Sequence, residues 1–364
     1  MESYKNTIIC GETVMEMRKM PDGVFDFCFA DPPYFLQVAG GKKLVRFEGT
    51  EVDGCDDEWD RFESMDSYKE FSHSWLSEVR RVLKDDGSIC VISGMQSVYE
   101  IGSILRDLGF WVLNDIVWKK ANPTPNFSGS RLNNSHETLI WAAKSKKSRF
   151  TFNYKTGKYL NGGKQMGSVW TFPVCSGSER IRDDNGEKLH STQKPEALLK
   201  RVIVLFTKPG DLILDPFGGT MTTGAVAKQC GRDYCMIEME ERYIAKGRER
   251  IEKIVPCIGT VESAVMDEKP ARASFSDMTD AGYFIIGETF YHRNGKTAVL
   301  VQKAGKLLYE GEVDSMHEVA AKMSGAVRRV NAFDYFSVER DGVLVPIREI
   351  RENYRRDMQS RTGG

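Results

Sequence analysis

Along the first 255 or so positions, short and nearly unbroken apolar runs alternate with stretches whose apolar residues recur every three or four positions. Residues 25–30 (FDFCFA) and 89–93 (ICVIS) are runs of the first kind, and each predicts a strand buried on both faces. Between them Phe71, Trp75, Val79 and Val82 fall on one face of a helix predicted over 67–83. Strands separated by helices in this way predict a parallel sheet covered on both sides. Residues 111–119 and 138–143 read as two longer strands that pair antiparallel across the loop NPTPNFSGSRLNNSHE. The length of that loop marks it as functional rather than a simple turn. Little periodicity follows over about 150–190. The pattern resumes at Pro195, with a helix through Leu205, a strand at 212–216, a helix at 222–229, a strand at 234–238 and a helix at 241–254.

Beyond these elements, residues 259–275 are small and charged with weak periodicity, which predicts a linker. From 276 the pattern changes to short strands with turn signals at Asn294-Gly295 and Ala304-Gly305, a helix near 317–324 and a strand near 335–339. The expected organisation is an α/β unit at 1–258, the linker at 259–275 and a small α+β unit at 276–364. No apolar run approaches the roughly 18 residues of a membrane span. The opening MESYKNTIIC lacks the apolar centre of a signal peptide, so a cytoplasmic location is expected.

Lys plus Arg number 51 and Asp plus Glu 52, for a formal net charge of -1. This excludes nucleic-acid binding driven by global positive charge and leaves it to local clusters. Lys42, Lys43 and Arg46 form one cluster, Lys119 and Lys120 with Arg131 a second, and Lys144, Lys146, Lys147 and Arg149 a third. All flank predicted strand ends. None of the eight cysteines forms a C-x-x-C pair, so no structural metal is expected. Those inside apolar runs are expected to act as small core hydrophobes.

Candidate chemistry begins with Asp31-Pro32-Pro33-Tyr34 at the carboxyl end of the run 25–30, where ligands of open α/β sheets collect. This tetrapeptide suits methylation of an exocyclic base amine, a poor nucleophile whose lone pair is delocalised into the ring. The Asp31 carboxylate and the Pro32 carbonyl can accept its two N–H bonds and free the lone pair for in-line attack. The paired prolines stiffen the backbone that presents the carbonyl, and Tyr34 offers a face on which a flipped base stacks. A second motif, Asp215-Pro216-Phe217-Gly218-Gly219-Thr220, ends one strand and opens a helix. Its glycines admit a ligand close to the backbone, and Glu238 at the end of the next strand can grip ribose hydroxyls. A third stretch, His190-Ser191-Thr192-Gln193-Lys194-Pro195, precedes a helix that Ser191 or Thr192 could cap.

These three motifs, in this order, resemble the β-class amino DNA methyltransferases, whose acceptor motif precedes the cofactor motif. The segments DPPYFLQ, DDEWDRF, RRVLKDDGSI, LGFWVLNDIVWKKANPTPNF, HETLIWA, QKPEALL and TKPGDLILDPF are similar to the cell-cycle-regulated (CcrM-type) adenine methyltransferases, spread over nearly the whole chain. The resemblance implies a Rossmann-like methyltransferase fold in circularly permuted motif order with a small C-terminal α+β domain. It also implies S-adenosyl-L-methionine as cofactor and adenine-N6 methylation of double-stranded DNA at 5'-GANTC-3'. Asp31, Pro32 and Tyr34 would then be catalytic. Glu12, Asp215, Phe217, Gly219, Thr220 and Glu238 would hold the cofactor, with Thr192, Gln193 and Lys194 around its methionine end. The DNA-facing residues would include Lys42, Lys43, Leu44, Arg46, Trp59, Asn126 and Arg131, with Ser315 and Asn331 in the C-terminal unit.

The same resemblance implies a homodimer in the bacterial nucleoid, and leaves both a solitary enzyme and one paired with a restriction endonuclease open. Three positions depart from the pattern. Glu12 stands where the family has Asp, Phe35 where it has Asn, and Met221 where it has a further glycine. Met221 is expected to crowd the helix start and weaken the cofactor's hold. In the C-terminal unit Phe333 and Phe336 replace an aromatic pair, as stacking groups or as core. Two rivals remain. One is N4-cytosine methylation, which shares the acceptor geometry but which a serine in place of Asp31 would favour. The other is a DNA-binding regulator in which Met221 blocks the cofactor.

Overall fold

The computed structural model describes residues 2–36, 44–45, 51–52, 60–126, 131–257, 260–261, 265–267 and 273–362. The chain divides into two units, Met1–Glu268 and Lys269–Gly364. The first contains, in chain order, β1 (Thr7–Cys10), α1 (Thr13–Arg18), β2 (Phe25–Ala30), β3 (Leu44–Val45), β4 (Glu51–Val52), α2 (Met65–Val82), β5 (Leu83–Ser93), α3 (Val98–Asp107), β6 (Trp111–Lys120), β7 (His136–Ala143), α4 (Tyr154–Leu160), β8 (Val169–Phe172), α5 (Glu196–Phe206), β9 (Leu212–Asp215), α6 (Thr222–Gln229), β10 (Asp233–Glu238) and α7 (Glu241–Glu252). β3 and β4 pair with each other. The other strands form one eight-stranded sheet in the order β1-β10-β9-β2-β5-β7-β6-β8. Every neighbouring pair in it is parallel except the two that involve β7.

The apolar runs are continuous because both faces of the sheet are covered. Phe27, Phe29, Cys90, Ile92, Ile213 and Met236 enter one core with α5 and α6. Their alternating neighbours Cys28, Ala30, Ile89, Val91, Leu212, Leu214, Cys235 and Ile237 enter the other with α2 and α3. A period of two along each strand thus feeds two layers of helix. Five cysteines, Cys28, Cys90, Cys175, Cys230 and Cys235, are buried, as expected of small core groups, while Cys10 is exposed. Strand β5 is longer than the run at 89–93 predicts: its first residues pair with β2 through a register shift, and the exposed Asp85 and Asp86 break the apolar signal there. The weakly periodic region holds α4 and β8, whose partly exposed faces leave no repeating pattern.

The second unit contains α8 (Phe275–Asp280), β11 (Thr289–His292), β12 (Thr297–Gln302), β13 (Lys306–Tyr309), β14 (Glu312–Ser315), α9 (Met316–Ser324), β15 (Phe336–Arg340), β16 (Val343–Pro346) and α10 (Ile347–Thr362). Its six strands form an antiparallel sheet in the order β14-β13-β12-β11-β15-β16. Phe333 and Phe336 are core residues of this unit, packed with Phe290, Val338 and Ile350. Strand β16 and helix α10 extend beyond the elements expected there; α10 is rich in Arg and Glu, and few apolar residues mark it as a helix. Among the described residues no helix is long and apolar enough to cross a membrane.

Met221 has a left-handed backbone (φ 59) at the start of α6, and its side chain is fully buried. It turns toward α7, where a Cβ added to Gly247 would lie 2.2 Å from its Cγ. The glycine at 247 leaves a slot under α7 that the methionine fills, and the end of its side chain packs against Gly218 of the cofactor turn, so it does not line the cavity. Gly247→Ala is expected to lower unfolding free energy by about 1–3 kcal/mol through overpacking. In urea titrations, combining it with Met221→Ala should be non-additive by roughly 1 kcal/mol or more. Additive losses would contradict this packing.

Candidate active site

Chain order along the sheet reverses between β9 and β2, and a crevice opens beyond the carboxyl ends of strands at such a point. Asp31 follows β2, Asp215 ends β9 and Glu238 ends β10. Because β7 runs the other way, its first residues, His136 and Glu137, arrive at the same edge. A cavity of about 390 Å³ lies there, within the range of small-molecule sites. Asp31, Pro32 and Tyr34 line it, as do Glu12, Thr192, Gln193, Lys194, Asp215, Phe217, Gly219, Thr220 and Glu238. All twelve residues proposed for catalysis and cofactor binding are thus brought together.

On the acceptor side the Lys194 ammonium lies 2.8 Å from Asp31 Oδ2 and 3.9 Å from Glu137 Oε2. It also sits 4.9 Å from the centre of the Tyr34 ring. The Tyr34 hydroxyl donates to Glu137 Oε2 at 3.0 Å, and Lys120 pairs with Glu137 Oε1 at 2.7 Å. Glu137 thereby holds the position of the tyrosine hydroxyl. The two cations hold its carboxyl below the usual carboxylate range in spite of burial. Desolvation raises Asp31 above that range, and the neighbouring Lys194 only partly offsets it. The backbone of the tetrapeptide is held by Tyr68, whose hydroxyl donates to the Pro33 carbonyl at 2.9 Å, and by Asp60, which accepts from the amides of Tyr34, Phe35 and Leu36. Phe35 takes a left-handed conformation (φ 53) that its ring makes tenable by packing on Tyr68 and Phe62.

On the cofactor side Asp215 accepts from the amide of Phe217 at 3.0 Å and from the Thr223 hydroxyl at 2.5 Å. Glu238 Oε2 accepts from Gly219 N at 2.7 Å, and Oε1 from the amides of Met239 and Glu240. A carboxylate has about four acceptor positions, so one remains on Oε2. Glu12 caps α1 through bonds from Val14 N and Met15 N. Thr192 N donates to His190 Nδ1, and Gln193 staples the loop by accepting from Ile181 N and donating to the Glu179 carbonyl. Neither Ser191 nor Thr192 caps α5; the Glu179 carboxylate receives the Glu196 amide instead. Burial pushes the Asp215 carboxyl up to about 7, with bonds from Thr223 and Phe217 opposing and Asp31 and Glu238 adding to the rise. Glu238 is raised as well, again by burial first. A cationic ligand group would favour the charged form of the raised carboxyls of Asp215 and Glu238, so this half of the cavity suits one.

The DNA-facing candidates are distributed differently. Lys42, Lys43, Arg46, Trp59 and the side chain of Leu44 lie outside the described residues. Asn126 and Arg131 line a second cleft of about 390 Å³ that shares Leu36 with the first cavity and Lys120 with its Glu137 pair. Asn126 Nδ2 donates to the Arg131 carbonyl at 3.2 Å. In the second unit Ser315 forms a capping box with Glu318 at the start of α9, and Asn331 donates to Asp334 at 3.0 Å. Glu137 and Asp60, which the motifs did not single out, complete the site. Their only sequence signals were their places in HETLIWA and DDEWDRF. No group of His, Cys, Asp or Glu suited to a metal occurs among the described residues.

A cavity at the point where strand order reverses, lined by a Gly-rich turn and by an acidic residue ending the next strand, is where sheets of the Rossmann-like class place nucleoside ligands. Residues 25–249 match the N6/N4 methyltransferase family described as DNA methylase, and the chain belongs to that family. It is 42% identical to the type II methyltransferase M.HinfI of Haemophilus influenzae over 97% of its own length and 98% of the relative's. It is also 40% identical to M2.DpnII of Streptococcus pneumoniae over 68% and 90% of the respective lengths. Solved structures share the fold: the cytosine-N4-specific PvuII DNA methyltransferase (TM-score 0.53, 19% identity, covering 72% of this chain and 90% of that one) and the M1.HpyAVI–SAM complex (TM-score 0.50, 22% identity, covering 67% and 98%).

The raised carboxyl of Asp215 carries a sign. A carboxyl lifted from 3.8 to about 7 on folding contributes stability below 3.8 that is lost as pH rises through about 7. Asp215→Asn removes that dependence. The stability of the unliganded wild type relative to the variant is expected to fall by up to about 1.4 kcal/mol per pH unit between about pH 4 and 7. Urea titrations across pH check this.

Proposed function

We propose that this protein is an adenine-N6 DNA methyltransferase that transfers a methyl group from S-adenosyl-L-methionine to double-stranded DNA at 5'-GANTC-3', of the cell-cycle-regulated (CcrM) type. The observation that carries the reading is the Asp31-Pro32-Pro33-Tyr34 acceptor, clamped by Tyr68 and Asp60, opening into the same cavity as Asp215 and Glu238. The residues present fit the cofactor. Its cationic groups answer the desolvated carboxylates, Gly218 and Gly219 admit it close to the backbone, and Glu238 keeps a lone pair for a ribose hydroxyl. Thr192, Gln193 and Lys194 would close over the methionine end, and Met221, packed under α7 and against Gly218, does not enter the cavity. Bound there, the cofactor supplies an electrophilic methyl group.

The chain's own residues do the rest. Asp31 and the Pro32 carbonyl accept the two N–H bonds of the target amine and localise its lone pair. Tyr34, its hydroxyl held by Glu137, presents the stacking face. As the new N–C bond forms, the amine sheds one proton, and the Asp31 carboxylate, raised by burial, is placed to take it. Asp31 at the head of the tetrapeptide favours adenine over cytosine, for which a serine would be expected. Lys42, Lys43, Leu44, Arg46, Trp59, Asn126 and Arg131, with Ser315 and Asn331 from the second unit, are proposed to contact DNA, and the enzyme to act as a homodimer in the bacterial cytoplasm.

Purified protein with methyl-labelled cofactor is expected to label a GANTC duplex. Asp31→Ala should reduce labelling by at least about a hundredfold while the melting temperature is kept. Equal labelling of duplexes with and without the site would refute the specificity.

A further inference from the structure

Asp60 is the first described residue after 53–59, and its carboxylate is buried at 7% exposure. Oδ1 accepts from the amides of Tyr34 at 2.5 Å and Phe35 at 2.7 Å, and Oδ2 from Leu36 at 2.8 Å. Three consecutive amides converging on one carboxylate make an anion nest, with Phe35 supplying the left-handed turn that such a nest needs. A bulky residue at positive φ persists only where its surroundings over-determine it. Asp60 does so from the backbone side and the Phe62–Tyr68 pair from the ring side. With Tyr68 holding the Pro33 carbonyl, the chain that presents Asp31, the Pro32 carbonyl and the Tyr34 ring is gripped on both flanks.

We propose that Asp60 is the positioning residue of the methyl acceptor, and that its grip on the amides of Tyr34, Phe35 and Leu36 sets the backbone of the tetrapeptide. The proposal rests on the methyltransferase reading and adds the residue that sets its geometry. Asp60 touches neither base nor cofactor in this role; it acts through the backbone of residues 34–36. Asn offers one acceptor oxygen and a donating amide, so it satisfies part of the nest and repels the rest.

The test compares wild type with Asp60→Asn in three measurements: hydrogen exchange of the amides of 34–36, cofactor affinity by calorimetry, and single-turnover methylation of a GANTC duplex at saturating cofactor and DNA. Exchange about tenfold or more faster, a single-turnover rate about tenfold or more lower and a cofactor Kd within about threefold are expected, since a small misplacement of reacting groups costs up to about a hundredfold. Unchanged exchange, an unchanged rate, or a rate loss matched by an equal loss of cofactor affinity would overturn the proposal. Wild-type protein that methylates no duplex would count against the methyltransferase reading instead, and the exchange comparison alone would then decide the anchor. Should Asp60→Asn not fold, Asp60→Glu keeps both oxygens but displaces them by a methylene. A tenfold slower rate with unchanged cofactor affinity then upholds the proposal, and a rate within twofold overturns it.

Discussion

Buried negative charge at one edge of the sheet is the constraint around which the first unit is arranged. Asp31, Glu137, Asp215 and Glu238 all reach that edge, and each would be costly to desolvate alone. Their surroundings offset the cost in different ways. Lys120 and Lys194 hold Glu137 low, while Lys194 offsets only part of the rise that burial imposes on Asp31. Asp215 and Glu238 are held by backbone amides and one hydroxyl and are raised as well, with Asp215 near 7. The acceptor half of the cavity thus carries its own cations, and the cofactor half relies on amides and a hydroxyl.

The reversal of β7 is what closes the acceptor half. Were β7 parallel to its neighbours, Glu137 would lie at the opposite edge of the sheet, and the Tyr34 hydroxyl and Lys120 would lose their shared carboxylate. The same reversal lets the loop after β6 return directly, which places Asn126 and Arg131 on a cleft that meets the main cavity at Leu36. The proposed base holding and the proposed DNA reading therefore meet at one corner of the fold. A net charge of -1 is compatible with this, because the cations that matter sit locally, and two of them face carboxylates inside the site.

Much of this was legible in the sequence wherever the information is local. Strand β2 runs straight into Asp31-Pro32-Pro33-Tyr34, and β9 into the Gly-rich turn, so period and motif coincide and both were readable. Glu137 and Asp60 were not, because they lie 103 and 26 residues from Tyr34 and only the topology brings them to it. Met221 misled for a related reason: a side chain at a glycine-rich turn looks obstructive until the gap at Gly247, 26 positions on, is known. Elements with little apolar face, such as α4 and β8, gave no periodic signal strong enough to read, whereas α10 carries a helical stripe at Ile347, Ile350, Tyr354 and Met358 set among many charges.

The edge formed by Asp31, Pro32 and Tyr34 is proposed to activate the amine of adenine. Mass spectrometry of the nucleosides released from DNA treated with the protein and S-adenosyl-L-methionine is the direct check. N6-methyldeoxyadenosine is the expected product. N4-methyldeoxycytidine in its place, or no methylated nucleoside from a protein that binds the cofactor, would contradict it.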